Sequence, residues 1–159
     1  PRAVTVQFDP DYDGVAEAGG RHIRISANYV AGNPHDIDVI VHEAFHLVQA
    51  YRFEGSPGWA VEGLADFVRW AYGTRNANAC WVMQRYEPGQ SLTDGYGVTA
   101  RFLLWLVTEV EPGLVRSLDA ALREGEYNEG FWSARTGRSI DQLWAEYADA
   151  PTHRPVSYE

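Results

Sequence analysis

The sequence predicts an α+β fold, with a small N-terminal mixed sheet followed by a mainly helical C-terminal part. Apolar and polar residues alternate over the first stretches of the chain, up to about residue 28, which is typical of half-exposed strands. From Asp36 onward the apolar residues recur at helical spacing instead. Because the strands come first and the helices follow, the two kinds of element are expected to be segregated, as in α+β proteins.

Two segments before the first helix have strand character. The run from Ala3 to Phe8 alternates, and a turn from Asp9 to Gly14 leads to a short run from Val15 to Ala18, so a hairpin is predicted here. The segment from Arg21 to Asn28 places its isoleucines on one face, which predicts a further half-exposed strand.

The helical period predicts a helix from Asp36 to about Arg52 and, after a break at Glu54–Pro57, a second helix that stops at Gly73. Residues 74–95 show no sustained period and are predicted to form a long loop. Further helical segments are expected at about 97–110, 113–124, 128–135 and 139–149, the last with a capping box from Ser139 to Gln142.

Composition limits the classes of function and of site. A chain of 159 residues, 45% of them hydrophobic, is expected to form one domain over residues 1–159. Its 22 acidic and 13 basic residues give a formal charge of −9, which disfavours nucleic acid as a partner. No run approaches the roughly 18 apolar residues of a membrane helix. The protein is expected to be a monomer. Since Cys80 is the only cysteine, any metal must be bound by His and carboxylate side chains.

The segment His42-Glu43-Ala44-Phe45-His46 matches the H-E-x-x-H motif on a predicted helix. Residues four apart share a helix face, so both imidazoles can reach one zinc ion while Glu43 acts as general base toward the attacking water. The alternative is a pair of helix histidines satisfied by local hydrogen bonds. Against it, both histidines lie away from the apolar stripe, and Glu43 is the only formally charged side chain from Val39 to Tyr51, so polar groups there need a partner.

Glu62 is predicted as the third zinc ligand. If the second helix returns antiparallel, the rise per residue brings Glu62 level with His46. Asp66 lies one turn further along, level with His42, where its carboxylate could accept the free ring N–H of that histidine. The alternative is that both are ordinary acids of an amphipathic helix, with Arg69 as a partner three residues on.

The chain resembles the plant basic secretory protein family of peptidases and its bacterial relatives, within the gluzincin-like zincins. The HExxH element is widely shared among zincins, whereas the EGLADFVR and YGVTARFL elements are much more specific to this family. Five segments in family order carry the likeness: HIRISANYV (22–30), VHEAFHLVQAY (41–51), PGWAVEGLADFVRW (57–70), GYGVTARFLLWL (95–106) and SIDQLWAEY (139–147).

The resemblance implies a secreted or cell-surface metallopeptidase with a zincin-like fold and one catalytic Zn²⁺. It implies that His42, His46 and Glu62 bind the metal and that Glu43 catalyses. It also implies that the strand at about 22–28 is the sheet edge along which an extended peptide or protein substrate pairs. The chain departs from the family in being acidic, and in having less sequence before its first strand.

Two further residues precede or lie in the helix predicted at 97–110. A phenol at Tyr96 could donate a hydrogen bond to the oxyanion of the tetrahedral intermediate, or it could pack at the helix start. Arg101 could have a similar role, and the alternative is that it forms a structural ion pair.

The leading functional hypothesis is zinc-dependent hydrolysis of peptide bonds, by an endopeptidase or an aminopeptidase-like enzyme. The alternatives are a non-catalytic zinc-containing domain that binds glycans or cell-surface protein, and a zinc hydrolase of non-peptide amides or esters.

Overall fold

The computed structural model describes residues 3–51 and 55–151. Within them the chain forms three strands followed by seven α-helices, which confirms the α+β class. The strands are β1 (Thr5–Asp9), β2 (Ala16–Gly19) and β3 (His22–Ser26). The helices are α1 (Ala27–Gly32), α2 (Val39–Gln49), α3 (Gly58–Tyr72), α4 (Tyr96–Trp105), α5 (Leu114–Glu124), α6 (Phe131–Thr136) and α7 (Ile140–Asp149). Among the helices so described, none is both long and apolar enough to cross a membrane.

The sheet has the order β1-β3-β2, so β3 is its central strand. It pairs with β1 in parallel and with β2 antiparallel. Two predictions are therefore wrong: β1 and β2 do not form a hairpin, and the strand at about 22–28 is not a sheet edge. Alternation reports which face of a strand is buried but not how many neighbours it has. The hairpin instead joins β2 to β3, through Gly20 at φ 61.

The third strand ends two residues earlier than predicted. The hydroxyl of Ser26 accepts a hydrogen bond from the backbone N–H of Tyr29 at 3.2 Å, so Ser26 caps the short helix α1. Serine is among the most favourable N-cap residues, because its side chain satisfies an N–H that has no partner inside the helix. The capping interaction thus ends the strand pattern at Ser26.

The two helices predicted after Asp36 are present. Helix α2 ends at Gln49, where Ala50 adopts the left-handed conformation with φ 44. The predicted end at Arg52, and Glu54 in the predicted break, lie outside the described residues. Helix α3 stops just before Gly73, as predicted.

The remaining elements follow the sequence prediction closely. The described loop after α3 contains one short 3₁₀ helix at Leu92–Asp94. Helix α4 continues directly into a π-helical segment, Leu106–Val110, so the helix predicted at 97–110 is one continuous stretch with two hydrogen-bond patterns. The capping box of Ser139 and Gln142 at the start of α7 is confirmed.

The chain divides into two compact units. The first comprises the described residues up to Ala50 together with Val68–Val82; in it α2 packs against β2 and β3 over the buried Ile23 and Ile25. The second comprises Tyr51–Phe67 and the described residues from Met83 onward. Its core is built on α4, which is buried along most of its length and packs against α7. The prediction of one domain stays a prediction.

Candidate metal centre

Helix α2 brings the two histidines of the H-E-x-x-H motif together. The Nε2 atoms of His42 and His46 lie 3.0 Å apart, and the ring centroids are separated by 4.7 Å in an edge-to-face arrangement. Two nitrogens bound to one tetrahedral zinc ion at about 2.0–2.1 Å would lie about 3.4 Å apart. The observed spacing is within a few tenths of an ångström of that value, so the pair fits a common ion.

The orientation of His46 is set by Gln49, a residue that the sequence analysis did not single out. The Nδ1 atom of His46 lies 2.6 Å from the side-chain oxygen of Gln49, which is only 2% exposed. Because an amide oxygen can only accept, this contact requires the tautomer of His46 that is protonated on Nδ1, and in that tautomer Nε2 presents a lone pair. A glutamine three residues after a motif histidine, on the same helix face, is the signal that could have identified it.

Glu62 completes the group. His42, His46 and Glu62 each offer one ligand atom, and these atoms all lie within 4.8 Å of one another. Among the residues that the structure describes, this is the group of His, Cys, Asp or Glu side chains that could hold a metal ion. Two imidazole nitrogens and one carboxylate oxygen are a donor set that zinc accepts.

The backbone beside Glu62 is held by a close contact between helices α3 and α4. A Cβ atom added to Gly63 would lie 2.3 Å from Cγ2 of Thr99, so this position has no room for a side chain. Thr99 is fully buried, and its hydroxyl donates to the carbonyl of Leu92 at 2.8 Å. Neither partner can move aside easily, and the height of Glu62 on α3 is therefore fixed relative to α4.

Tyr96 begins α4 close to Glu62. A Cβ added to the preceding Gly95 would lie 4.0 Å from the Cβ of Glu62. Tyr96 itself has φ 43 and is 56% exposed. A left-handed conformation costs a residue with a side chain roughly 1–2 kcal/mol, and such strain is concentrated at functional sites. The oxyanion role of Tyr96 stays a prediction.

Arg101 lies five residues, about one and a half turns, further into the same helix. Burial raises the pKa of Tyr147 to about 12, and the positive charge of Arg101 acts in the opposite direction on it. Arg101 is thus within electrostatic range of α7, and its role stays a prediction.

The two remaining predicted residues, Glu43 and Asp66, are both buried. Burying a carboxylate is unfavourable without strong compensating interactions, which argues against the interpretation of Asp66 as an ordinary surface acid. The guanidinium of Arg69 is paired with Asp36. The roles of Glu43 as general base and of Asp66 as acceptor for His42 stay predictions.

A family model named BSP and described as peptidase of plants and bacteria matches residues 2–147. This match confirms the resemblance drawn from the sequence segments. No curated protein and no solved structure matches the chain.

Proposed function

The chain belongs to the BSP family of peptidases of plants and bacteria, and from this premise we propose that it is a zinc-dependent peptidase with a zincin-like site. The observation that carries the proposal is the convergence of one ligand atom each from His42, His46 and Glu62 within 4.8 Å. Three protein ligands are the usual number in catalytic zinc sites, where the fourth position is left to water or substrate. When bound, zinc would supply Lewis acidity and lower the pKa of water toward neutrality.

The chain's own residues would divide the proton transfers and the positioning between them. Glu43 accepts a proton from the attacking water and later gives it to the leaving amine. Gln49 and Asp66 hold the imidazoles of His46 and His42 by their second nitrogens. Tyr96 donates its phenolic hydrogen to the oxyanion of the tetrahedral intermediate.

The substrate would be an extended peptide or protein chain that pairs with β2. Within the described residues β2 lies at one border of the sheet, and α2, which carries the two histidines, packs against it. An extended peptide adds to an exposed strand by main-chain hydrogen bonds. The proposal includes action as a single monomeric domain, and, as the resemblance implied, a location outside the cell or at the cell surface.

The decisive experiment replaces Glu43 by glutamine. Glu43→Gln should retain one zinc per chain by elemental analysis and lose about 10²-fold to 10⁴-fold in peptide cleavage, because the amide cannot accept the proton. Glu109→Gln, at an exposed acid, is the matched control and should leave cleavage unchanged. Undiminished turnover in Glu43→Gln would contradict the assignment. Stoichiometric zinc without cleavage of a broad peptide library by the natural sequence would instead support a zinc-containing binding domain.

Gln49 supplies a second test of the metal site. Gln49→Leu removes the acceptor for His46, so zinc affinity should fall by about 10-fold to 100-fold, measured by competition with a chromophoric chelator. Gln49→Glu keeps an acceptor at the same place and should retain most of the affinity. Equal zinc affinity in Gln49→Leu and the natural sequence would show that Gln49 does not orient the ligand.

A further inference from the structure

Tyr12, in the connection between β1 and β2, folds back onto β2. Its hydroxyl donates to the backbone carbonyl of Ala16, with the two oxygens 3.4 Å apart. The guanidinium of Arg24 lies over its ring, 4.5 Å from the centroid. Tyr12 is half-buried as a result. The side chain is therefore held against the sheet rather than extended into solvent.

The carbonyl that Tyr12 contacts belongs to the open side of β2. The N–H of Ser26 donates to the carbonyl of Val15 at 3.0 Å, one position beyond the pair of Ala16 and Ile25 that begins the β2–β3 register. Backbone groups of successive residues in an antiparallel pair point alternately toward and away from the partner strand. Ala16 and Ala18 therefore turn their N–H and C=O groups away from β3, toward the side that no described strand occupies.

Gly14 makes room for this arrangement. A Cβ added at Gly14 would lie 2.4 Å from the hydroxyl oxygen of Tyr12. The backbone of Gly14 is not in the left-handed region, so its conformation alone does not require glycine. What an alanine there would disturb is the position of the phenol.

Tyr12 also lies within electrostatic range of the predicted base. Burial raises the pKa of the Tyr12 phenol, and the negative charges of Glu17 and Glu43 raise it further. Coulombic effects decrease with distance, so the phenol lies near enough to Glu43 for that charge to act on it.

We propose that Tyr12 is a specificity-determining residue that ends the substrate-binding edge of β2. With its phenol on the Ala16 carbonyl, an extended substrate pairs with Ala18 and cannot continue to Ala16. Residues of one orientation recur every two positions, about 7 Å along a strand, so the restriction removes about one pairing step on one side of the scissile bond. This inference rests on the proposed peptidase function.

The test measures kcat and KM for a series of peptides lengthened one residue at a time at either end. For the natural sequence, extension at one end should stop improving kcat/KM at a definite length. In Tyr12→Ala the longer peptides should gain about fivefold to tenfold in kcat/KM through KM, since one or two backbone hydrogen bonds become available. The shortest peptides should be cleaved as before.

Two variants separate displacement of the phenol from loss of the side chain. Gly14→Ala should push the phenol off the edge and shift the length dependence in the same direction as Tyr12→Ala. Tyr72→Ala, which removes a 74% exposed tyrosine at the end of α3, is the control and should leave the length dependence unchanged. Zinc content and circular dichroism establish that each variant is folded. If a variant is not folded, Tyr12→Phe, which removes only the hydroxyl that contacts Ala16, is measured in its place.

The outcomes distinguish the two proposals. An active natural enzyme whose length dependence is the same in Tyr12→Ala and Gly14→Ala overturns this inference alone. A natural sequence that cleaves no peptide of any length overturns the proposed function and this inference with it.

Discussion

Two clusters of the same three residue types lie in different regions of the molecule. In the first cluster, Tyr29 donates to one oxygen of Asp36 at 2.5 Å and Arg69 binds the other oxygen. In the second cluster, the corresponding residues are Tyr51, Asp119 and Arg123. Tyr51 donates to Oδ1 of Asp119 at 2.6 Å, and Nε of Arg123 donates to Oδ2 at 2.8 Å. The hydrogen-bonding chemistry of the two clusters is thus nearly the same.

The clusters differ in burial and in reach along the chain. The side chains of Arg69 and Asp36 are 6% and 8% exposed, whereas those of Arg123 and Asp119 are 33% and 26% exposed. Asp119 and Arg123 are four residues apart on α5, but Asp36 and Arg69 are separated by 33 positions. The ion pair of the first cluster therefore joins distant segments, whereas the ion pair of the second lies within one turn of a helix and only Tyr51 reaches it from elsewhere in the chain.

The first cluster also has additional members. Arg69 donates through Nε to the side-chain oxygen of Asn76 at 3.1 Å, and its guanidinium carbon lies 4.2 Å from the ring centroid of Trp81. In the second cluster, Arg123 lies over Tyr51 at the longer distance of 5.6 Å. The buried guanidinium of Arg69 is thus held by hydrogen bonds in its plane and by the ring of Trp81 against one face.

The comparison shows that position, rather than chemistry, decides what such a cluster contributes. A solvent-exposed ion pair contributes about 0–1 kcal/mol, because water and salt screen it. A buried pair costs desolvation to form, but removing one partner leaves an uncompensated charge. Asp36 precedes α2 and Arg69 lies on α3, so the first cluster connects the two helices that carry the candidate metal ligands.

The largest expected difference comes from removing the shared carboxylate. Asp36→Ala should lower the free energy of unfolding by about 3–5 kcal/mol, since Arg69 stays buried without its counterion. Asp119→Ala should lower it by about 1 kcal/mol, since water can reach Arg123. Urea unfolding in the presence of a chelator measures both without a contribution from metal. Similar decreases in the free energy of unfolding for the two variants would contradict the expected difference between the clusters.

A smaller difference is expected when the cation is kept and its shape is changed. Arg69→Lys should cost about 1–2 kcal/mol, because a lysine lacks the planar group that bonds Asn76 and stacks on Trp81. Arg123→Lys should cost less than about 0.5 kcal/mol, as expected for an exposed pair on one helix. The same urea unfolding serves here, and an Arg69→Lys variant as stable as the natural sequence would show that the charge alone matters.

The smallest effect concerns pH and the first cluster. Burial, followed by the hydrogen bond to Asp36, raises the pKa of Tyr29 from 10.0 to about 12. Folding therefore favours the protonated phenol: this contribution is complete below about pH 10 and is lost as pH rises toward 12. Tyr147, also near 12, adds a similar dependence. The free energy of unfolding is therefore measured against pH for Tyr29→Phe and for the natural sequence, since only their difference isolates Tyr29. A difference that stays constant from pH 9 to 11.5 would contradict the prediction.

Local patterns predicted more of this molecule than long-range pairings could. The helical period located α2 and α3, and the spacing of His42 and His46 on one helix predicted their convergence. The rise per residue of an α-helix was enough to predict that Glu62 lies level with His46. The partnership of Asp36 with Arg69 has no signature, because residues 33 positions apart share no periodicity. The central position of β3 was missed for the same reason, since strand order depends on pairing rather than on alternation.

Gly63 gives this sequence a marker that can be recognised without coordinates. In the middle of a helix glycine is about 1 kcal/mol less favourable than alanine, so propensity alone would replace it. The tight contact with Thr99 makes every larger residue worse at that position. In a chain with an H-E-x-x-H helix, a glutamate followed at once by glycine inside the next helix is therefore the sequence pattern expected of a candidate third ligand placed by close helix packing.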